Sequence, residues 1–362
     1  MKKIKTTKHI ELNFRILRTV LSVLVSLLIA FFLISTVSEN PMKDFGTLLF
    51  GPLSNGTRMI SVISKMTPLL FTGVAIALVN SSGQLNIAAE GAFFAGAVAA
   101  TAVAIVPGIP PLIHIFLCLV AGAIAGALVM GIPGILNAKF NVVTIVSSLM
   151  LNYVVLHLGL YIILNPLRDP GAGFEASFLF EPSSILPKLF NLNRIHLGLL
   201  IGVLVVILTS ILFKRHSFGY AIKTVGSNKK FAILSGINVN KTIILTALLA
   251  GSIAGLGGTV ETLGNYSRFV FTGFTNHGWD GVMIAVLARN NTKAIPISAF
   301  FLAYLRTAAD ALNFTSSIPP EIISVIQAII IIFIASDQLL SGWEHRKIVR
   351  NSQERMSLEK GV

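Results

Sequence analysis

The chain has little charge, almost no cysteine and none of the short motifs that mark catalysis. Charged residues make up 12% of the 362 and hydrophobic ones 54%, with a mean hydropathy of +0.81. That balance excludes the soluble classes and places the chain among multi-span membrane proteins. Cys118 is the single cysteine and sits in an apolar run, so no internal disulfide can form and no cysteine-based metal cluster is suggested. No G-x-x-x-x-G-K-[ST] loop occurs, which leaves any nucleotide hydrolysis to a different chain. H-E-x-x-H and G-x-S-x-G are also missing and the seven histidines are scattered, which argues against an intramembrane enzyme. Acidic residues are scarce as well, 15 against 28 Lys and Arg, for a formal charge of +13. In a soluble chain that excess would suggest nucleic acid. Here the cations stand in loops beside apolar runs, where anionic membrane lipids and the positive-inside bias account for them, and no nucleic-acid partner is expected.

What the chain has is apolar runs. They cover 20–37, 66–79, 88–106, 111–135, 142–164, 196–213, 242–263, 282–288, 295–312 and 322–336. The first lacks a small-residue cleavage site and reads as a retained span. Runs 66–79 and 282–288 are too short for a ~30 Å hydrocarbon layer. The polar residues Asn80, Ser81, Ser82, Gly83, Gln84 and Asn86 predict a broken helix, tolerable where the backbone is buried in protein. The reading is an all-α polytopic membrane protein of about ten transmembrane helices, some broken. It has a basic cytoplasmic tail over 1–19, a transmembrane domain over 20–336 and a cytoplasmic C-terminal tail over 337–362. Small residues such as Gly122, Gly126 and Gly131 predict close helix packing.

Charge counting supports an even number of spans in the cytoplasmic membrane. With both termini cytoplasmic, 20 of the 28 Lys and Arg fall on that side, as the positive-inside rule requires. The polar stretch 165–195 carries Arg168, Lys188 and Arg194 against Asp169, Glu175 and Glu181, a balance that suits an outer loop. The stretch 214–241 is the opposite case, with Lys214, Arg215, Lys223, Lys229, Lys230 and Lys241 and no acid. Gly219, Gly226 and Gly236 divide it, and the piece 228–235 is long enough for about two helical turns. A short helix held across the membrane face is a docking surface, while the lysines alone would also serve to set topology.

Several stretches together carry a resemblance. Thr67-Pro68-Leu69-Leu70-Phe71-Thr72-Gly73, Asn86-Ile87-Ala88-Ala89-Glu90-Gly91, Met150-Leu151-Asn152-Tyr153, Asp169-Pro170-Gly171-Ala172, and Gly226-Ser227-Asn228 with Ser235-Gly236-Ile237 resemble the permease subunits of ABC importers. The branch looks like the nucleoside permeases, related to those for ribose and branched-chain amino acids. The resemblance covers about 40–336. It implies that 214–241 couples to an ATPase subunit through Gly219, Lys223, Gly226, Asn228, Ala232 and Gly236. It further implies a second permease subunit, identical or paralogous, and an extracytoplasmic substrate-binding lipoprotein. ATP and Mg would be used by the ATPase, with no cofactor bound by this chain. The chain departs from the family's usual residues at Ala88 (often Gly), Ala92 (often Gln), Thr144 (an acid nearby), Lys223 (Arg) and Lys229 (Pro). Nucleoside import is the expected function. A ribose or other simple-sugar permease is the alternative, since nothing in the spans separates the two, and a secondary transporter needing no ATPase is the reading from another class.

Glu90-Gly91 precedes an alanine-rich run and Asp280-Gly281 precedes 282–288. By the topology above these two runs cross in opposite senses, which predicts inverted repeats with broken helices around a central site. Each acid is expected at a helix start, where the macrodipole favours it. Asn86, Glu90, Asn152 and Asp280 are therefore the candidate pathway residues, lining the pore or supporting its wall. Arg306 and Asp310, spaced i, i+4, are expected to form a structural pair on one helix rather than a site.

Overall fold

A computed structural model of the chain describes residues 7–189 and 194–335. The expected C-terminal tail lies outside the described residues. Helix is the regular secondary structure of the described residues, with two isolated β-bridges, Arg168 to Ser177 and Lys188 to His196, in place of any strand. Among the described residues six helices are long and apolar enough to cross a membrane: α3 (Gly56–Ser81), α5 (Pro111–Phe140), α6 (Thr144–Leu164), α7 (Gly198–Arg215), α10 (Val239–Asn265) and α12 (Ile295–Thr315). Shorter apolar helices are α4 (Ala89–Ala104), α13 (Pro320–Ala335) and the second half of α1 (Thr7–Val37), and α11 (His277–Leu287) is shorter still. α2 (Pro41–Phe50), α8 (Ser217–Ser227) and α9 (Lys229–Leu234) complete the order.

Every apolar run of the sequence lies within or overlaps one of these helices, with three differences of substance. Part of the expected basic tail is helix, since α1 already begins at Thr7. The run 66–79 is extended by more than two turns at its N-terminus, because Asn55 caps α3 by accepting from Thr57 N–H at 3.1 Å. At 26 residues α3 is long enough to span. The turn-rich stretch around Asn40 and Pro41 holds helix α2, with Pro41 in its first turn, where the missing N–H costs nothing.

The chain divides into two compact units, one of Leu53–Tyr304 and one formed by the described residues before and after it. In the terminal unit α1 packs along α13, Phe31 meets Phe45 edge-on at 5.2 Å, and buried Asp44 accepts from Ser38 Oγ at 2.7 Å.

The larger unit is built around α10, which packs on α3, α4 and α5. Lipid offers no hydrophobic drive between helices, so packing must come from close backbone approach. A β-carbon on Gly126 would collide with the Gly251 carbonyl of α10, one on Gly255 with the Gly122 carbonyl of α5, and one on Gly96 of α4 with Gly255. Thr259 Oγ1 donates to the Gly255 carbonyl within α10 and to the Gly96 carbonyl of α4, at 3.1 and 3.3 Å. Gly126→Leu is expected to force these helices apart, at several times the ~1–3 kcal/mol usual for overpacking. The check is size-exclusion chromatography in detergent, where the variant should aggregate and a monodisperse wild-type peak would refute the close-packing argument.

The short helices pack reciprocally: α4 lies on α5 and α10, and α11 lies on α3. This brings their N-terminal ends together inside the larger unit.

Candidate functional site

After Ser81 the chain leaves the helix, Gly83 turns it at φ +74°, and helix resumes at Ala89. A non-helical stretch in a membrane needs partners for its backbone groups, and side chains of the stretch itself and of neighbouring helices supply several of them. Ile87 N–H donates to Ser148 Oγ at 3.1 Å, the Ile87 carbonyl accepts from Asn152 Nδ2 at 3.1 Å, and Asn152 Oδ1 accepts from Gly91 N–H at 2.9 Å. Asn86 Nδ2 donates to the Met130 carbonyl at 3.1 Å while its Oδ1 accepts from Ala88 N–H at 3.0 Å. Gln84 Nε2 donates to the Ile243 carbonyl at 3.1 Å. The polar interruption is thus bolted to α5, α6 and α10.

Glu90 caps a helix start, but that of α11 rather than of its own helix. Its carboxylate accepts from Asn276 N–H at 2.8 Å, Gly278 N–H at 2.5 Å and Thr275 Oγ1 at 3.2 Å. These donors belong to the positive end of α11, where backbone N–H groups lack helical partners. Phe93 stacks on His277 at 4.8 Å with the rings 6° from parallel, and a β-carbon on Gly278 would collide with the Glu90 backbone. Asp280 lies in the first turn of the same α11, as expected of an acid at a helix start. Asn86, Glu90 and Asn152 therefore converge on one junction with the start of α11, which carries Asp280, and all four are at most 3% exposed.

The basic stretch 214–241 contains two helices where one was expected. α9 is the predicted one: Asn228 Oδ1 accepts from Phe231 N–H at 3.0 Å at its start, and Gly236 at φ +77° follows its end. α8 was not anticipated, because Gly219 and Gly226 read as breakers. They are close-approach glycines instead, Gly219 against the Leu212 carbonyl and Gly226 against the Ser81 carbonyl. Ala232 is buried with Ala138, Val225 and Ile243, so one face of α9 is anchored. On the other side Phe231, Ile233 and Leu234 are exposed, Leu234 at 87%, with Tyr220 of α8 also exposed. Lys223 Nζ lies over the Phe213 ring at 5.2 Å and is exposed, as are Asn228 and Gly236. The contact of Gly226 with Ser81 and Gly83 joins this stretch directly to the interruption between α3 and α4.

A family profile described as the branched-chain amino acid transport system permease component matches residues 58–335, which include both the junction and the basic stretch. The chain belongs to this permease family. It is similar to a guanosine ABC transporter permease protein of Bacillus subtilis, 33% identical over 279 residues that cover 76% of this chain and 80% of that one. It is 29% identical over 334 residues to a glucose ABC transporter permease protein of Haloferax volcanii, covering 90% and 88% of the two chains. A nucleoside ABC transporter permease protein of Lactococcus lactis is 28% identical over 338 residues, covering 89% and 91%. No solved structure matches the chain. The permease is thus a multi-pass protein of the cell membrane and a membrane component of a transport system.

The permease also holds a polar hollow that the apolar runs concealed. A cavity of about 450 Å³ is lined by Ser61, Ser64, Lys65, Arg194, Glu261, Asn265 and Tyr266, a volume in the ~300–1,000 Å³ range of small-molecule sites. Glu261 accepts from Asn265 Nδ2 at 2.9 Å, Asn265 Oδ1 accepts from Ser64 Oγ at 3.3 Å, and Arg194 donates to Ser61 Oγ at 2.9 Å. The signal for it is an acid inside the run 242–263, with an amide four residues on. An ionisable group within a span marks function by default.

Proposed function

We propose that the permease is the membrane subunit of an ATP-driven importer that carries nucleosides across the cytoplasmic membrane. The observation that carries this reading is the match, over most of the chain, to relatives named for guanosine and nucleoside transport. The hollow at Glu261 supports it, since a carboxylate flanked by an amide and a serine suits the hydroxyl groups of a ribose. The relative named for glucose favours a simple sugar as the second reading, and a ribose-recognising hollow would serve both.

Asn86, Glu90, Asn152 and Asp280 would support the wall of the pathway around the junction of α4 and α11. Gly219, Lys223, Gly226, Asn228, Ala232 and Gly236 would shape the coupling stretch, whose exposed apolar side on α9 would meet an ATPase subunit that binds ATP and Mg. An extracytoplasmic substrate-binding lipoprotein would dock on the opposite face, a second permease copy or paralogue would complete the pore, and both termini would be cytoplasmic. The test is uptake of labelled guanosine and uridine into proteoliposomes holding the assembled importer. ATP-dependent uptake resisted by excess ribose and glucose is expected. Equal competition by a sugar would replace the nucleoside reading, and uptake without the ATPase would replace the importer reading.

Leu234→Asp puts a charge in the most exposed apolar position of α9 and leaves buried Ala232 untouched. Co-purification of the ATPase is expected to fall by roughly tenfold or more, the range for a central interface anchor. Unchanged co-purification would remove α9 from the interface.

A further inference from the structure

Two adjoining hollows at the end of α7 belong to neither the junction nor the exposed side of α9. One, of about 540 Å³, is lined by Val206, Ile207, Ser210, Ile211, Lys214, Arg215 and Lys293. The other, of about 430 Å³, shares Ser210, Lys214 and Lys293 and adds Lys223 with the turn 290–292. The floor between them is closed by a hydrogen bond of 2.9 Å between Ser210 Oγ and Thr292 Oγ1. No acidic residue lines either hollow.

The cations there divide by what they already hold. Lys223 is engaged by the Phe213 ring and by the Phe213 carbonyl, at 3.4 Å, which offsets the negative end of α7. Lys214, Arg215 and Lys293 are exposed, and no acidic partner meets them among the described residues. One turn back along α7 the lining turns apolar, and Ile207 and Ile211 are each 49% exposed. A cluster of cations that continues into an apolar groove along a membrane helix matches an anionic headgroup followed by its acyl chain.

We propose that this groove binds an anionic phospholipid of the leaflet that faces the 214–241 stretch. Its phosphate sits between Lys214 and Lys293 with Arg215 at the rim, and an acyl chain runs along Val206, Ile207 and Ile211. The lipid ties the end of α7 to the turn 289–293. Asn290 accepts from Asn80 Nδ2 at 3.2 Å, and Asn80 adjoins Ser81, the residue that Gly226 touches. Occupancy of the groove therefore braces the contact between the basic stretch and the end of α3.

The experiment is native mass spectrometry of the assembled transporter, purified in detergent, delipidated and titrated with phosphatidylglycerol or phosphatidylcholine. Phosphatidylglycerol should be retained at least ~10-fold better than phosphatidylcholine, because it carries a net negative charge whereas the choline ammonium of the other lipid offsets its phosphate and is repelled by the lysines. Lys214→Gln with Lys293→Gln should lose that preference. Lys229→Gln with Lys230→Gln, which removes two exposed charges elsewhere on the same stretch, should keep it. Both double variants alter exposed side chains, and an unchanged melting profile in phosphatidylcholine verifies the fold. Equal retention by wild type and the 214/293 variant overturns the proposal. So does displacement by millimolar inorganic phosphate, which would make the groove a free-anion site. Retention by the permease without the ATPase but not by the assembled transporter overturns it too, by assigning the face to that protein.

Discussion

Gly226→Val is expected to reduce transport to background while the ATPase still co-purifies. Gly226 has no room for a β-carbon, because the Ser81 carbonyl occupies that space and Gly83 N lies just beyond. Valine must push α8 off the end of α3 at the point where the basic stretch meets the interruption 82–88. Neither neighbour yields cheaply: Gly83 holds a left-handed turn at φ +74°, and Ser81 ends a helix. The exposed side of α9 is formed by Phe231, Ile233 and Leu234 and is unaffected by the change. Binding and transport should therefore separate, with Gly226→Ala intermediate. ATP hydrolysis stimulated by the loaded binding protein, measured beside uptake, tests this. Near-normal uptake by the valine variant would show that the close contact transmits nothing.

Glu90→Ala is expected to cost both stability and transport. Three donors of the α11 start, Thr275 Oγ1, Asn276 N–H and Gly278 N–H, share this one carboxylate. A buried donor left without an acceptor costs ~1–3 kcal/mol, so the loss approaches a sizeable part of the ~5–15 kcal/mol that holds a typical domain. Glu90→Gln keeps one acceptor oxygen but turns an amide N–H₂ toward the remaining donors, so it should fall between wild type and alanine. The melting temperature in detergent and ATP-dependent uptake should follow the order Glu, Gln, Ala. If Glu90→Ala melted like wild type, the carboxylate would not be what joins α4 to α11.

Much of this architecture was legible in the sequence because its causes are local. An apolar run long enough to cross lipid must satisfy its own backbone, and only a helix does so within one segment. The runs between 111 and 263 therefore became α5, α6, α7 and α10 within a few residues. The polar cluster 80–86 placed the break after α3, and Asn228 with Gly236 bracketed α9, because caps and left-handed turns are set by the residues that make them. The helices α2 and α8 were missed for a related reason. Pro41 begins a helix as readily as a turn, and Gly219 and Gly226 serve close packing as readily as chain reversal.

Other features depended on residues far apart in the chain, and these the tertiary structure alone decided. Periodicity could put Glu90 at a helix start, but it could not say that the donors it caps lie 185 to 188 residues away on α11. Composition could mark 214–241 as basic, but not show Gly226 against Ser81, or a cation cluster completed by Lys293 from a distant turn. Glu261 was visible inside an apolar run, yet its hollow exists only because Ser61 and Ser64 of α3 and Arg194 of the loop before α7 close around it. Local chemistry determined which apolar segments are helical and where the chain between α3 and α4 breaks. Packing between distant segments decided which polar groups meet, because a buried hydrogen bond or close contact requires a partner that the neighbouring sequence does not contain.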